Sequence, residues 1–126
     1  MKYVLPLLCA GLCLAVVSCK DLAIEHYNRG IDAMESNDPA AAVVDFEKSL
    51  TYRRDDADVH ANLGAAYYAL GDYDKAIDHF KTALDGHATD PIVHYNLAEA
   101  YAASGSQQSA AREYQAAIRL KQDFHE

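Results

Sequence analysis

Apolar residues recur along the chain from residue 23 onward in a pattern that repeats every 34 residues. The three blocks are 23–56, 57–90 and 91–124. Within a block the apolar residues lie three or four positions apart, as Leu63, Tyr67 and Leu70 do in the second block. This spacing places them on one face of an α-helix, and an uninterrupted repeat of this length is typical of stacked helical hairpins. The sequence therefore predicts an all-α protein of three hairpins.

Turn-forming residues divide each block near its middle. The three turns are Asn37-Asp38-Pro39, Gly71-Asp72-Tyr73 and Gly105-Ser106-Gln107. Asn or Gly favours the left-handed backbone that ends a helix. Asp or Ser then caps the next helix by accepting hydrogen bonds from its free N–H groups. Proline fits the first helical position, where no N–H is needed, so Pro39 and Pro91 each mark the start of a helix.

The second block resembles the consensus of the tetratricopeptide repeat. The matching residues are Asn62-Leu63-Gly64-Ala65-Ala66-Tyr67-Tyr68, Gly71-Asp72-Tyr73, Ala76, Phe80 and Ala83. The resemblance extends over 23–124 and leaves only the tail 125–126 beyond it. It implies a right-handed α-solenoid of three tetratricopeptide-repeat hairpins. In such a fold Gly64 lets two helices approach closely, and Phe80 fills the space between hairpins.

The resemblance also implies where a ligand would lie, because in this family the first helix of each hairpin lines a concave groove. The residues of this sequence that fall on that surface are Tyr27, Asn28, Ile31, Met34, Asn62, Ala65, Tyr68, Tyr95, Asn96 and Glu99. The three Asn residues have two interpretations: they bind a peptide backbone through donor and acceptor, or they stabilise the repeat itself. The three Tyr residues are expected to face the groove, because solenoid packing does not obviously need them.

The same surface argues against one well-known kind of ligand. Members of this family that bind acidic C-terminal tails hold the carboxylates with Lys and Arg on the groove face. Here those faces carry Tyr27, Ile31, Ile92 and Asn96, and of that clamp only Asn62 is present. We therefore expect an apolar or mildly basic ligand.

A histidine occupies the position at which the family usually has Trp, as His26, His60 and His94. The series could be a metal site, or the imidazoles could fill part of the space of the usual indole. Equivalent residues of adjacent repeats lie about 8–10 Å apart, whereas the ligands of one metal ion each lie about 2 Å from it. The spacing favours packing, and we predict no metal site.

The first 18 residues have the features of a signal peptide. After Lys2, the apolar run 4–17 has 14 residues, fewer than the ~20 of a membrane-spanning helix. The run leads into Val16-Val17-Ser18-Cys19, which resembles the lipobox of bacterial lipoproteins and implies cleavage before a lipidated Cys19. Residues 19–22 would form a short tether, and Lys20 rather than Asp after Cys19 favours the outer membrane, facing the periplasm. The alternative is a plain secretory leader with an incidental Cys.

Composition excludes several classes of function. The formal net charge is −8, so the protein is expected to repel nucleic acid. Cys9 and Cys13 lie in the leader, which leaves Cys19 without a partner for a disulfide bond. The sequence has no metal-binding, phosphate-binding or nucleophile motif. We therefore expect neither a cofactor nor an enzymatic activity.

Together these features predict a membrane-anchored protein–protein interaction module that binds a peptide or protein partner in its concave groove. By analogy with similar lipoproteins, its role would be in assembly of the bacterial cell envelope. The alternative is a structural lipoprotein that self-associates through its C-terminal repeat. The family usually adds a polar capping helix, whereas here the last helix is expected to cap itself with the outward row Ala111, Gln115, Ile118 and Gln122. That row is only partly polar, so a homo-oligomer through this end is the second interpretation.

Overall fold

The computed structural model describes residues 18–87 and 89–123. These residues form an all-α solenoid, as predicted, with no strand in the described ranges. Its six helices are α1 (Cys19–Glu35), α2 (Pro39–Tyr52), α3 (Ala57–Ala69), α4 (Tyr73–Gly86), α5 (Pro91–Ala103) and α6 (Gln107–Asp123). The predicted signal peptide lies outside the described residues except for Ser18, and so does the tail 125–126.

The predicted turns are confirmed. Asn37, Gly71 and Gly105 have φ angles of 58°, 79° and 88°, the left-handed conformation that ends the first helix of each hairpin. Asp38 and Asp72 then cap α2 and α4 by accepting hydrogen bonds of 3.0 Å and 3.3 Å from the N–H groups of Ala41 and Lys75. The predicted cap by the Ser106 side chain does not occur among the described residues. Each hairpin therefore closes through a short turn whose local residues specify its geometry.

Helix α1 begins at Cys19, four residues before the first predicted repeat. The side chain of Ser18 accepts a hydrogen bond of 3.2 Å from the N–H of Lys20. In return, Asp21 accepts one of 3.2 Å from the N–H of Ser18. This reciprocal cap satisfies N–H groups of the first turn and extends the helix. The predicted tether 19–22 is therefore the first turn of α1 in this structure.

The core forms where successive hairpins pack on one another. Its largest fully buried side chains include Phe46 and Phe80 on the second helices and Leu63 and Leu97 on the first helices. Among the described residues α1 contacts α3 and α3 contacts α5, whereas α2, α4 and α6 do not contact one another. The first helices therefore lie on the inside of the curve and line its concave face.

Gly64 allows the central hairpin to close tightly. A Cβ atom at this position would lie 2.7 Å from the ring of Phe80, a distance that side-chain atoms do not tolerate. The third hairpin has Ala98 at the equivalent position, and its aromatic residue is Tyr114. Phe80 is only 1% exposed, but Tyr114 stays partly exposed and packs against Tyr95, with ring centroids 5.6 Å apart.

The two ends of the solenoid differ in polarity. Buried apolar residues Val59, Leu63 and Ala66 of α3 have equivalents in α5 that are also apolar and buried. The equivalents in α1 are Glu25, Arg29 and Asp32, which are exposed. Polar residues therefore cover the end of the stack formed by α1.

Candidate functional site

The ten residues predicted to form the groove all lie on the inner helices α1, α3 and α5. Tyr68 and Tyr95 are 36% and 51% exposed. Asn28 is exposed as well, and the other seven are partly buried. The structure distributes these residues over three separate places along the solenoid.

At the N-terminal end the concave face is largely filled. The side-chain amide of Asn62 donates a hydrogen bond of 3.1 Å to Tyr27 Oη and another of 3.0 Å to the backbone carbonyl of Asp58. The ring of Tyr27 packs against Phe46, with centroids 5.9 Å apart. Solenoid packing therefore does use Tyr27, against the sequence-based reasoning, and both amide protons of Asn62 are used within the protein.

Ile31 and Met34 continue this filled region. Both side chains are partly buried and pack against the hydrophobic core. Asn28, one turn earlier on α1, stays exposed. Ile31 and Met34 thus offer an apolar surface rather than a pocket. Tyr27, one turn before Ile31 on α1, also borders a separate cavity of about 130 Å³ whose lining includes Arg53, Asp56 and Asp58.

A cavity of about 120 Å³ opens farther along the concave face, between α3 and α5. Its lining residues are Ala65, Tyr68, Phe80, Asn96 and Glu99, four of which were predicted to form the groove. We call it the α3/α5 pocket. The repeat explains why the pocket exists here: the equivalent of Ala65 in the first hairpin is Ile31, which is large enough to fill the same space.

Asn96 lacks the hydrogen bonds that fix the side chain of Asn62. The repeat equivalent of Tyr27 in the second hairpin is Ala61, which has no hydroxyl to accept the amide proton. The Asn96 carboxamide makes no hydrogen bond to another described residue. A free carboxamide therefore faces the α3/α5 pocket, with donor and acceptor groups for a ligand backbone.

Glu99 supplies the charge of this pocket. The hydroxyl of Tyr114 donates a short hydrogen bond to Glu99 Oε1. This hydrogen bond, together with burial, raises the pKa of Tyr114 to about 12. The hydroxyl is protonated at neutral pH, as that of an ordinary tyrosine is, and orients the carboxylate. Glu99 Oε2 makes no hydrogen bond or ion pair within the described chain.

Tyr95 belongs to a different surface, at the C-terminal end of the stack. A groove of about 480 Å³ lies between α5 and α6, and we call it the α5/α6 groove. Its lining residues are Pro91, Ile92, Tyr95, Tyr114, Ala117, Ile118 and Lys121. Ile92 and Ile118 are 65% and 56% exposed. In the central hairpin the equivalent face is covered by α5, whereas no described residue covers it here.

Charges are sparse on the concave face. The predicted groove residues belong to four rows of repeat-equivalent positions, which begin at Tyr27, Asn28, Ile31 and Met34 and extend through α3 and α5. Glu99 is the only charged residue in these rows, and the rows contain neither Lys nor Arg. These four rows can therefore attract a cation but have no basic side chain to hold a carboxylate.

The three equivalent histidines join the two helices of each hairpin. His26 Nδ1 lies 2.9 Å from Asp45 Oδ1, and His94 Nδ1 lies 2.6 Å from Glu113 Oε2. In the central hairpin the partner is another histidine, with 3.1 Å between the Nδ1 atoms of His60 and His79. Sequence reasoning missed these partners, although they also occupy one repeat-equivalent column. Within the described part of the chain no three metal-ligating side chains converge on one point.

Burial lowers the pKa of His79, and the neighbouring His60 lowers it further. The ring of His79 also stacks on Tyr67, with centroids 5.5 Å apart. Burial raises the pKa of Tyr67 to about 12, and its hydrogen bond to Glu47 contributes. The central hairpin thus holds both groups in their uncharged forms near neutral pH.

Cys19 is a free, exposed thiol at the first residue of α1. A helix with the length and apolar character needed to cross a bilayer does not occur in the part of the chain that the structure describes.

Comparison with known proteins identifies the family. A tetratricopeptide repeat profile matches residues 27–91, more than half of the chain. A second tetratricopeptide repeat profile matches residues 68–126. The chain belongs to the tetratricopeptide repeat family. No curated protein matches it significantly.

Several solved structures share the fold. A single-residue variant of MamA is 25% identical, with a TM-score of 0.75, over 81% of this chain and 79% of that chain. The second TPR of Spaghetti (RPAP3), bound to the HSP90 peptide SRMEEVD, is 18% identical with a TM-score of 0.77, over 80% and 94% of the two chains. A chain of the CopN–Scc3 complex is 20% identical with a TM-score of 0.76, over 82% of this chain and 61% of that chain. This chain spans 64% and 55% of two other MamA chains.

Proposed function

We propose that this protein is a membrane-anchored interaction module that binds a peptide, or an extended segment of a protein partner, along its concave face. The observation that carries the proposal is the α3/α5 pocket, where an exposed Tyr68 and the free carboxamide of Asn96 meet in an open cavity. Aromatic rings provide contact area at low entropic cost, and the carboxamide can pair with a peptide backbone. The RPAP3 relative, which holds a peptide, supports the same use of the fold.

The ligand of this chain differs in chemistry from the acidic peptide of that relative. Four rows of the concave face contain no Lys or Arg and one carboxylate, Glu99. An acidic segment would meet no counter-charge here and would be repelled by the net charge of −8. The proposed ligand is therefore apolar or basic, as the sequence predicted.

Anchoring is the second part of the proposal. We place the lipid on Cys19, in the bacterial envelope and at the outer membrane facing the periplasm, on the strength of the lipobox-like sequence and Lys20. One acyl chain holds a protein to a bilayer only weakly, whereas two or more hold it stably. Cys19→Ser should abolish labelling by radioactive palmitate and move the protein from the membrane to the soluble fraction. Retention of label in this variant would remove the lipid anchor from the proposal.

The binding part is tested by capture of a partner from detergent-solubilised envelope with wild type, Tyr68→Ala and Tyr95→Ala as separate variants. Tyr68 lines the α3/α5 pocket, whereas Tyr95 lines the α5/α6 groove. Loss of a partner with Tyr68→Ala but not with Tyr95→Ala is the expected result, provided that circular dichroism shows both variants folded. A partner that Tyr68→Ala retains would contradict a concave binding site.

The α5/α6 groove favours a second candidate function, self-association of a structural lipoprotein. Ile92, Tyr95 and Ile118 expose apolar surface on both sides of this groove. Head-to-tail stacking is disfavoured, because α1 presents Glu25 and Arg29 where an apolar face would be needed. A second copy would therefore dock through the same α5/α6 groove, about a two-fold axis, which closes the assembly as a dimer.

A further inference from the structure

We infer that the α3/α5 pocket takes one cationic side chain, Arg or Lys, from the bound peptide. The inference rests on the proposed function, because it names the ligand residue that the proposed binding surface selects. Three properties of the pocket carry it: its size, its charge and its aromatic wall.

The size of the pocket suits one side chain. Sites for small molecules and cofactors are about 300–1,000 Å³, whereas this cavity is about 120 Å³. Its floor and sides are apolar at Ala65 and Phe80 and polar at Asn96 and Glu99. An apolar stem with a polar head matches that division, as the long side chains of Lys and Arg do.

The charge of the pocket is a single, oriented carboxylate. Tyr114 holds Glu99 through Oε1, and Oε2 has no partner among the described residues. Because Glu99 is partly buried, its interaction with a cation is less screened than at an exposed site. Hydrogen bonds between a carboxylate and a cationic N–H are shorter and stronger than those between neutral groups. The preorganised oxygen is thus a specific acceptor for a ligand cation.

The ring of Tyr68 forms the aromatic wall of the pocket and adds a second attraction for a cation. Tyr68 packs against Tyr73, with centroids 5.5 Å apart, so its ring is supported from one side. A cation within about 6 Å of such a ring is attracted by its π-electrons. The protein already contains this interaction elsewhere, with Lys75 Nζ 5.1 Å from the ring centroid of Tyr67.

The equivalent positions at the first hairpin lack both the carboxylate and the aromatic wall of the α3/α5 pocket. The repeat equivalents of Ala65, Tyr68 and Glu99 are Ile31, Met34 and Ala65, all uncharged. The space that the α3/α5 pocket leaves open is filled there by Ile31 and Met34, which pack on the core. Next to the acidic α3/α5 pocket the concave face is therefore apolar at Ile31 and Met34, so the ligand would carry its basic residue beside an apolar stretch.

The test uses an array of octapeptides and the full chain purified in mild detergent. One central position is Arg, Lys, citrulline or norleucine, and the other positions are mixtures of uncharged residues. Citrulline has nearly the shape of arginine without its charge. Wild type should bind the Arg and Lys series about tenfold more strongly than the citrulline and norleucine series, because a charge-assisted hydrogen bond and a cation–π contact are both lost.

Two isosteric variants test whether Glu99 causes the preference for the Arg and Lys peptides. Glu99→Gln keeps an oxygen that can accept the hydrogen bond of Tyr114 but removes the charge, so the preference for Arg and Lys should disappear. Glu35→Gln removes one charge from the exposed end of α1 and should leave the preference intact.

The outcomes separate this inference from the proposed function. Equal binding of the Arg and citrulline series, or equal losses in the two variants, would overturn the cation pocket while leaving a peptide groove in place. Failure of every series to bind would overturn the peptide groove as well.

Discussion

The side-chain amide of Asn62 donates a hydrogen bond of 3.1 Å to Tyr27 Oη, which joins α1 to α3 across the concave surface. Asn96, its repeat equivalent in α5, has Ala61 in place of the tyrosine and makes no such bond. The two interpretations of the recurring Asn therefore apply to different repeats. Asn62 stabilises the stack, and Asn96 is available to a ligand.

Removal of the hydroxyl by Tyr27→Phe should lower the free energy of unfolding by about 1 kcal/mol, the usual contribution of one intramolecular hydrogen bond. Denaturant unfolding followed by circular dichroism measures the change. Asn96→Ala is the matched control and should stay within about 0.5 kcal/mol of wild type, as surface substitutions usually do. A Tyr27→Phe variant as stable as wild type would show that the bond contributes nothing to the stack.

Gly64→Ala should destabilise the protein, although alanine favours a helix over glycine by roughly 0.5–1 kcal/mol. The new Cβ would lie 2.7 Å from the ring of Phe80, and overpacking of this kind typically costs about 1–3 kcal/mol. Gly64→Ala combined with Phe80→Leu should recover part of the loss, because the ring is gone. Stability above wild type in the single variant would mean that helix propensity outweighs the clash.

The His60–His79 pair predicts a pH dependence in the central hairpin. The pKa of His79 is lowered in the folded state from 6.5 by burial and by His60. The unfolded chain then binds the proton more tightly, so stability is fully present above about pH 6.5 and is lost as the pH falls toward the lowered pKa. The melting temperature should therefore fall between neutral pH and pH 5.

A His79→Asp variant tests the origin of that effect. It gives His60 the carboxylate partner that His26 has in Asp45, so acidification should no longer weaken this contact. Other charged groups near His79 are Glu47 of α2 and Asp78 and Lys75 of α4, and the variant leaves them unchanged. An identical acid-induced loss of melting temperature in wild type and His79→Asp would assign the effect to other groups.

Self-association through the α5/α6 groove predicts a dimer in sedimentation analysis, with a mass that rises with concentration toward twice the monomer mass. Ile118→Glu introduces a charge on an exposed rim of the groove and should give a monomer without loss of helix content. Gln115→Glu, on the same helix but outside the groove lining, is the control for added charge. A wild-type protein that stays monomeric at the highest concentration would eliminate this second candidate.

Much of the fold could be predicted from the sequence, because local signals and the repeat agree. The φ values of Asn37 and Gly71 and the cap at Asp38 follow from short-range chemistry. The buried positions of Leu63 and Phe80 follow from helical spacing. The start of α1 was missed, because Ser18 and Asp21 form a cap within a segment interpreted as the end of a leader and a tether.

The sequence predicted that the candidate site lies on the inner helices. It did not predict that the site residues separate into three places along the solenoid. Equivalent positions such as Tyr27 and Tyr95 have the same place in the repeat, but the neighbour that each meets lies in another helix. Tyr27 meets Asn62 and Phe46, whereas Tyr95 has no following hairpin in the described residues. The pairing of His26 with Asp45 was likewise hidden, because a single histidine column does not reveal its partner 19 residues away.

A partner that lies along the concave face can be captured there by photo-crosslinking in the living cell. A photoreactive benzoylphenylalanine replaces Tyr68 in the α3/α5 pocket or, as a control, Tyr52 at the end of the outer helix α2. Both side chains are similarly exposed, at 36% and 39%. At position 68 we expect a crosslinked species heavier than the chain and distinct from its dimer, and at position 52 we expect none. A crosslink at position 52 without one at position 68 would contradict binding along the concave face.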